Sequence, residues 1–197
     1  MVLSSPPPAE YALLCARVDA FAASVSARCA DQLSCQRGCA GCCHVELTVS
    51  AVEAAALSEY IQALSVEDQR LLRGQLSQPR TPQPGDDPRC LFLDEQDACM
   101  IYSARPLVCR SQGLPLRYPT DMVPVGAVRT RLPTGVVTVC PLNFTDRAPV
   151  AGEILDAELV DQILAVLSHR HRLASGAEVQ ERWSLREILE SATSRLR

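Results

Sequence analysis

Cys35-Gln-Arg-Gly-Cys39-Ala-Gly-Cys42-Cys43-His44 packs four cysteines into nine residues, with two glycines between them and polar side chains around them. Glycine lets a backbone turn tightly and approach a bound group closely, and the stretch lacks the bulky apolar residues of a core segment. It therefore reads as an irregular centre around which regular elements pack. Cys35-x3-Cys39-x2-Cys42 brings three sulfurs to one side of a tight turn. The vicinal pair is expected to behave differently. Adjacent Cα atoms lie ~3.8 Å apart and their side chains diverge, so Cys42 and Cys43 are expected to serve two centres, or one centre with structural cysteines left over.

Four further cysteines follow, Cys90, Cys99, Cys109 and Cys140. With Cys35, Cys39, Cys42 and Cys43 they make eight, and four thiolates complete either a tetrahedral zinc site or a cubane iron–sulfur cluster. Clustered cysteines at such spacings are read as metal ligands before they are read as core residues. The remaining two fall elsewhere. Tyr11, Leu14, Val18, Phe21, Val25 and Cys29 recur at steps of three and four, the apolar stripe of a helix over about 9–33. Cys29 continues that stripe as a small buried hydrophobe. Cys15 lies beside it without a cysteine neighbour, so neither belongs to the candidate site.

Beyond the cysteine turn, Ser50-x-x-Glu53 is a capping box that opens a helix with Val52, Ala56, Tyr60 and Leu64 on one face. A further helix is expected over Val66–Leu76. Residues 77–89 carry four prolines and read as an exposed loop, in which Asp86-Asp87 is a turn and no carboxylate dyad. Cys90-Leu-Phe-Leu and Cys99-Met-Ile-Tyr, separated by the acidic turn Asp94-Glu-Gln-Asp97, suggest a small hairpin. Arg105-Pro106 suits the first turn of a short helix. Val123–Val128 and Val136–Cys140 suggest a second strand pair, and the C-terminal quarter returns to helix: Leu155, Leu159, Ile163 and Val166 share a face, and Ser184-x-x-Glu187 caps the last helix. The expected fold is mainly α (α+β), with helices packed around the cysteine-rich centre and one or two short β-hairpins. It is expected as one domain made of an N-terminal helix (1–34), a cysteine-cluster region (35–144) and a C-terminal helical region (145–197).

Charge and composition narrow the partners. All 19 cations are arginine, so no lysine is present to form a Schiff base or a P-loop contact. A net charge of −4 argues against nucleic acid, whose phosphates need a basic face. Met1-Val-Leu-Ser-Ser-Pro-Pro-Pro has no basic n-region or long apolar run, and no window approaches a membrane span. A cytoplasmic chain is expected, where clustered cysteines are metal or redox centres more often than disulfides.

Taken in order, Cys35-x3-Cys39-x2-Cys42-Cys43, Cys90-x-Phe92-Leu93, Cys99-x-Ile101-Tyr102, Arg105-Pro106-x-x-Cys109-Arg110 and Cys140-Pro-Leu-Asn143 resemble the CxxCxxCC cysteine-cluster family, the YkgJ-like proteins, over roughly 35–144. That family is described as zinc- or iron-chelating and in places as iron–sulfur oxidoreductases. One departure is that three residues, not two, separate Cys35 from Cys39. The resemblance implies a metal site at the eight cysteines. Both candidate centres carry excess negative charge, which Arg105 and Arg110, flanking Cys109, and Arg37 are placed to offset while donating to sulfur. The expected cofactor is an iron–sulfur cluster, [4Fe–4S] in type, because single well-spaced cysteines suit it better than the paired CxxC knuckles of structural zinc sites. The alternative is a zinc-stapled module without catalytic activity that docks a protein partner.

Cys-x3-Cys-x2-Cys also occurs in radical S-adenosylmethionine enzymes. There it follows the first strand of a β/α barrel, whereas here a long helix precedes it and Gly41 stands where an aromatic is usual. A related cysteine motif in a flagellin lysine methylase leaves a redox or protein-modifying role as an analogy. His44 adjoins the vicinal cysteines as a neighbour of the ligands. His169 and His171 sit near a helix end, and Tyr102 and Trp183 read as packing aromatics.

Overall fold

Two sequence signals are realised as written. The Glu53 carboxylate accepts from both the N–H and the hydroxyl of Ser50, at 2.9 and 2.8 Å, closing the first turn of α2 (Ala51–Ala63). At α6 (Leu185–Ala192), Glu187 accepts from the Ser184 N–H at 2.8 Å while its own N–H donates to the Ser184 hydroxyl at 3.2 Å. The structure is a computed structural model, in which residues 5–77, 88–123, 128–132, 135–176 and 180–194 are described. The proline-rich segment with Asp86-Asp87, and part of the first strand expected at 123–128, lie outside the described residues.

The protein is mainly α with some β. α1 (Ala9–Arg28), α2, α3 (Val66–Gly74), α4 (Leu107–Ser111), α5 (Ala157–Ser175) and α6 carry most of the regular structure, and the strands are short. The chain divides into two compact units, one of Met1–Tyr11, Arg37–Pro106 and Val166–Arg197, the other of Ala12–Gln36 and Leu107–Ala165. No described helix is long and apolar enough to cross a membrane.

In the first unit β1 (Thr48–Ser50) pairs antiparallel with β6 (Arg182–Ser184), Val49 opposite Trp183. Each strand feeds directly into a capped helix, so α2 and α6 start from one ribbon and pack together. Their core holds Leu57, Ile61, Leu72, Phe92, Ile101, Ile188 and Leu189. Phe92 is 1 % exposed, so the segment between Cys90 and Cys99 is anchored through an aromatic side chain worth several kcal/mol of burial, about 3–5 kcal/mol on truncation.

In the second unit a four-stranded sheet runs β3 (Val128–Leu132), β4 (Gly135–Val139), β2 (Leu116–Tyr118), β5 (Leu155–Asp156). The β3–β4 hairpin forms, although β3 begins where the sequence reading ended it. β2 and β5 pair in parallel, Leu116 opposite Leu155, and neither has a signal in the sequence. Val25, Cys29, Leu114, Leu116, Phe144 and Ala157 form the core of this unit.

Two expectations are corrected. α1 ends at Arg28, short of 33, and a 3₁₀ turn over Ala30–Gln32 follows; Arg28 donates to the Ser24 and Gly152 carbonyls at that end, where a cation suits the helix dipole. The α5 face carrying Leu159, Ile163 and Val166 is exposed, and Ala157, Leu167 and His171 are buried instead.

Candidate metal centre

Five of the eight candidate cysteines, Cys39, Cys42, Cys43, Cys90 and Cys99, belong to the first unit, and three, Cys35, Cys109 and Cys140, to the second. No disulfide forms among the ten described cysteines.

In the first unit, Cys42 and Cys43 ride a 3₁₀ turn over Gly41–Cys43, closed by the Cys43 N–H donating to the Ala40 carbonyl at 2.8 Å. The Cys43 side chain first, then partial desolvation and the neighbouring sulfur's charge, push the Cys42 thiol far above its ordinary value. The Cys43 carbonyl accepts from the Cys90 N–H at 2.9 Å. From Cys90 the chain makes its expected hairpin in reduced form, a single bridge between Leu93 and Cys99, with the Asp94 carboxylate accepting the Gln96 and Ala98 N–H groups at 2.9 Å across the acidic turn. Burial raises the Cys99 thiol, against the opposing pull of the Ile101 N–H and the Arg105 charge.

Arg105 is the cation of this region. Its charge favours ionisation of both Cys42 and Cys99. Its guanidinium lies 3.5 Å from the Tyr102 ring centroid, and its Nε donates to the Tyr102 carbonyl at 2.8 Å, so the position of the charge is fixed by stacking and a hydrogen bond together. Cys39 is half-buried just after Gly38, whose φ of +87° is a left-handed conformation that favours glycine. His44 is exposed at the end of the turn. A small cleft touches Cys90 and is lined by Glu46, Thr48, Leu91 and Leu185.

In the second unit, Cys109 sits on α4 and Cys140 directly follows β4. Arg110 forms an ion pair with Asp19. Cys35 is exposed, yet its sulfur is held: the Asn143 side-chain amide donates to it at 3.2 Å. Asn143 sits in a turn whose N–H donates to the Cys140 carbonyl at 2.9 Å. The sequence reading named Asn143 only as the end of the Cys140-Pro-Leu-Asn143 string and gave it no role, and its partner Gly113 carried no signal.

Among the described residues no three His, Cys, Asp or Glu side chains stand grouped as they would around an ion. What the structure brings together is narrower: Cys42 with Cys43 on one 3₁₀ turn, Cys43 with Cys90 through the backbone, Cys42 and Cys99 in the field of Arg105, and Cys35 with the Cys140 turn through Asn143. The donor chemistry fits a soft divalent metal or iron, since thiolate sulfur is the ligand both take.

No curated protein and no solved structure matches the chain. Residues 34–119 match the family model CxxCxxCC, described as "Putative zinc- or iron-chelating domain". The match takes in seven of the eight candidate cysteines and stops before Cys140. Over 34–119, somewhat less than half of its length, the chain is thus similar to the CxxCxxCC family of zinc- or iron-chelating domains.

Proposed function

We propose that the chain is a metal-holding protein with two thiolate sets. Cys42, Cys43, Cys90 and Cys99, with Cys39 beside them, make the first; Cys35, Cys109 and Cys140 make the second. What supports this reading is that the Arg105 charge acts on both Cys42 and Cys99 while the Cys43 carbonyl accepts from the Cys90 N–H. Four thiolates around one centre leave excess negative charge, and a guanidinium whose field is felt at two of them offsets part of it.

Single cysteines arriving from separate segments support an iron–sulfur cluster of the [4Fe–4S] type, with a redox or protein-modifying role as the use of such a cluster. Zinc is the alternative, since Cys42 and Cys43 share one 3₁₀ turn and the charge of one bears on the other, as for two thiolates of a single tetrahedral ion.

Anaerobic purification, metal analysis and a visible spectrum test the reading. A brown protein with iron and acid-labile sulfide supports the cluster; a colourless one with stoichiometric zinc supports the single ion. Cys99→Ser and Cys109→Ser are each expected to lower metal content, because the two residues serve different sets. Full metal content in both variants removes the proposal.

A further inference from the structure

We infer that Asn143 is a positioning residue for metal binding, holding the Cys35 sulfur as a hydrogen-bond acceptor in the orientation a ligand needs; the inference rests on the reading of Cys35 as a ligand. The amide is 2 % exposed and fully engaged. Its Oδ1 accepts from the Ser34 N–H at 2.9 Å, and its Nδ2 donates to the Gly113 carbonyl at 2.7 Å and to the Cys35 Sγ at 3.2 Å. The two backbone partners fix which end of the amide is nitrogen, since an N–H faces only an acceptor and a carbonyl only a donor. One Nδ2 hydrogen is left for sulfur, so Cys35 must accept. A metal-bound or ionised sulfur accepts far better than a thiol does, so the cradle suits the ligand form.

The surroundings are built to this contact. A Cβ at Gly113 would stand 2.6 Å from the Cys35 Sγ, and Gly113 has φ +88°, so only glycine lets the backbone lie against the sulfur. Phe144, the next residue after Asn143, has φ +52°, an unusual conformation for a bulky side chain. Its N–H is held by the Gln32 carbonyl at 2.8 Å, and the Ser34 hydroxyl donates to the Leu142 carbonyl at 2.8 Å. Segments 32–35, 113 and 140–144 are thus laced around one buried amide, and strain at Phe144 is the kind retained where surrounding contacts over-determine a position.

The test uses the full chain, stripped of metal and reloaded with Co²⁺ as an optical probe, for the wild type, Asn143→Asp, Cys35→Ala and the double variant. Asp keeps the size of the side chain and an acceptor for Ser34 but removes both donors. Asn143→Asp is expected to weaken Co²⁺ affinity by about 10–100-fold and to move the sulfur-to-metal charge-transfer band, with no further loss when Cys35 is already Ala. Losses that multiply in the double variant would mean that Asn143 serves the fold alone, and the inference falls. Unchanged affinity in Cys35→Ala strikes the ligand role of Cys35, and this inference with it, while metal lost from Cys99→Ser would still stand for the first set. A second measurement needs no variant: in the ¹¹³Cd-loaded, ¹⁵N-labelled wild type, the Asn143 amide proton is expected to couple to cadmium through the Cys35 sulfur, and absence of that coupling overturns the proposal.

Discussion

Cys29 and Cys35 are neighbours in sequence and opposites in chemistry. Cys29 is fully buried; its thiol donates to the Glu153 carboxylate at 3.2 Å, and its sulfur takes a longer hydrogen bond from the Arg147 guanidinium at 3.6 Å. Burial first, then that hydrogen bond and the carboxylate charge, push its titration up against the pull of Arg147, so the sulfur keeps its proton. Cys35 is exposed, and its sulfur accepts from an amide. The Cys29 proton is committed to a buried carboxylate, whereas the Cys35 sulfur lies at the surface, where a metal could displace its proton. The comparison shows that two cysteines six residues apart can meet wholly different neighbours, which their spacing in sequence does not reveal.

The largest expected effect attacks this contrast at the metal. Structural thiolate sites contribute an apparent ~10–16 kcal/mol to folding, so stripping metal from the full chain with a strong chelator should lower Tm more than any single substitution in the apolar core. Cys35→Ser should lower metal content, and Cys29→Ser should leave it unchanged. Equal metal content in the two variants breaks the distinction between the buried, carboxylate-bound thiol and the exposed one.

A middle-sized effect sharpens the buried side of the contrast. Arg147 grips both oxygens of Glu153 at 2.8 Å, and the Val150 N–H donates to the same carboxylate at 2.9 Å. Glu153→Ala removes these and the Cys29 partner together. Because the Arg147 side chain is 41 % exposed, water takes back much of the ion pair, and the expected loss is about 2 kcal/mol. The pH dependence follows from the same group. Hydrogen bonding to Arg147, opposed by burial, holds the Glu153 carboxyl at about 2 against an ordinary 4.5. A depressed carboxyl stabilises the fold above its unfolded value, and that contribution fades as pH falls from 4.5 toward 2. Urea midpoints across that window should fall steeply in the wild type and less steeply in Glu153→Gln. Parallel curves would show that Glu153 does not govern acid stability.

Which parts of this were legible in the sequence depends on the range of the interaction. Ser50 with Glu53 and Ser184 with Glu187 are contacts across one helical turn, so both caps could be read directly. The cysteine pattern was legible for a similar reason, because turn glycines and close spacing mark an irregular ligand-rich segment. The pairing of Leu116 with Leu155 is a contact between strands of three and two residues, too short for a period to appear. The role of Asn143 was missed because its three partners, Ser34, Cys35 and Gly113, come from distant segments, and a single amide has no pattern to betray it. Cys29 was read correctly as buried, but Glu153 and Arg147, more than a hundred residues away, give it the role of donor.

The smallest effect tests that last assignment. Cys29→Ala deletes a donor and leaves a small void, and should lower stability by about 1–2 kcal/mol. Cys29→Ser restores a donor of similar reach to Glu153 and should recover part of that loss, because the carboxylate then keeps a partner while the void shrinks. If the thiol served only as an apolar filler, Ser would be worse than Ala, since a hydroxyl is harder to bury than a methyl. The order of the two variants in thermal denaturation therefore decides whether Cys29 is held by packing alone or by its bond to Glu153. Only in the second case does the contrast with Cys35 rest on hydrogen bonding, with burial secondary.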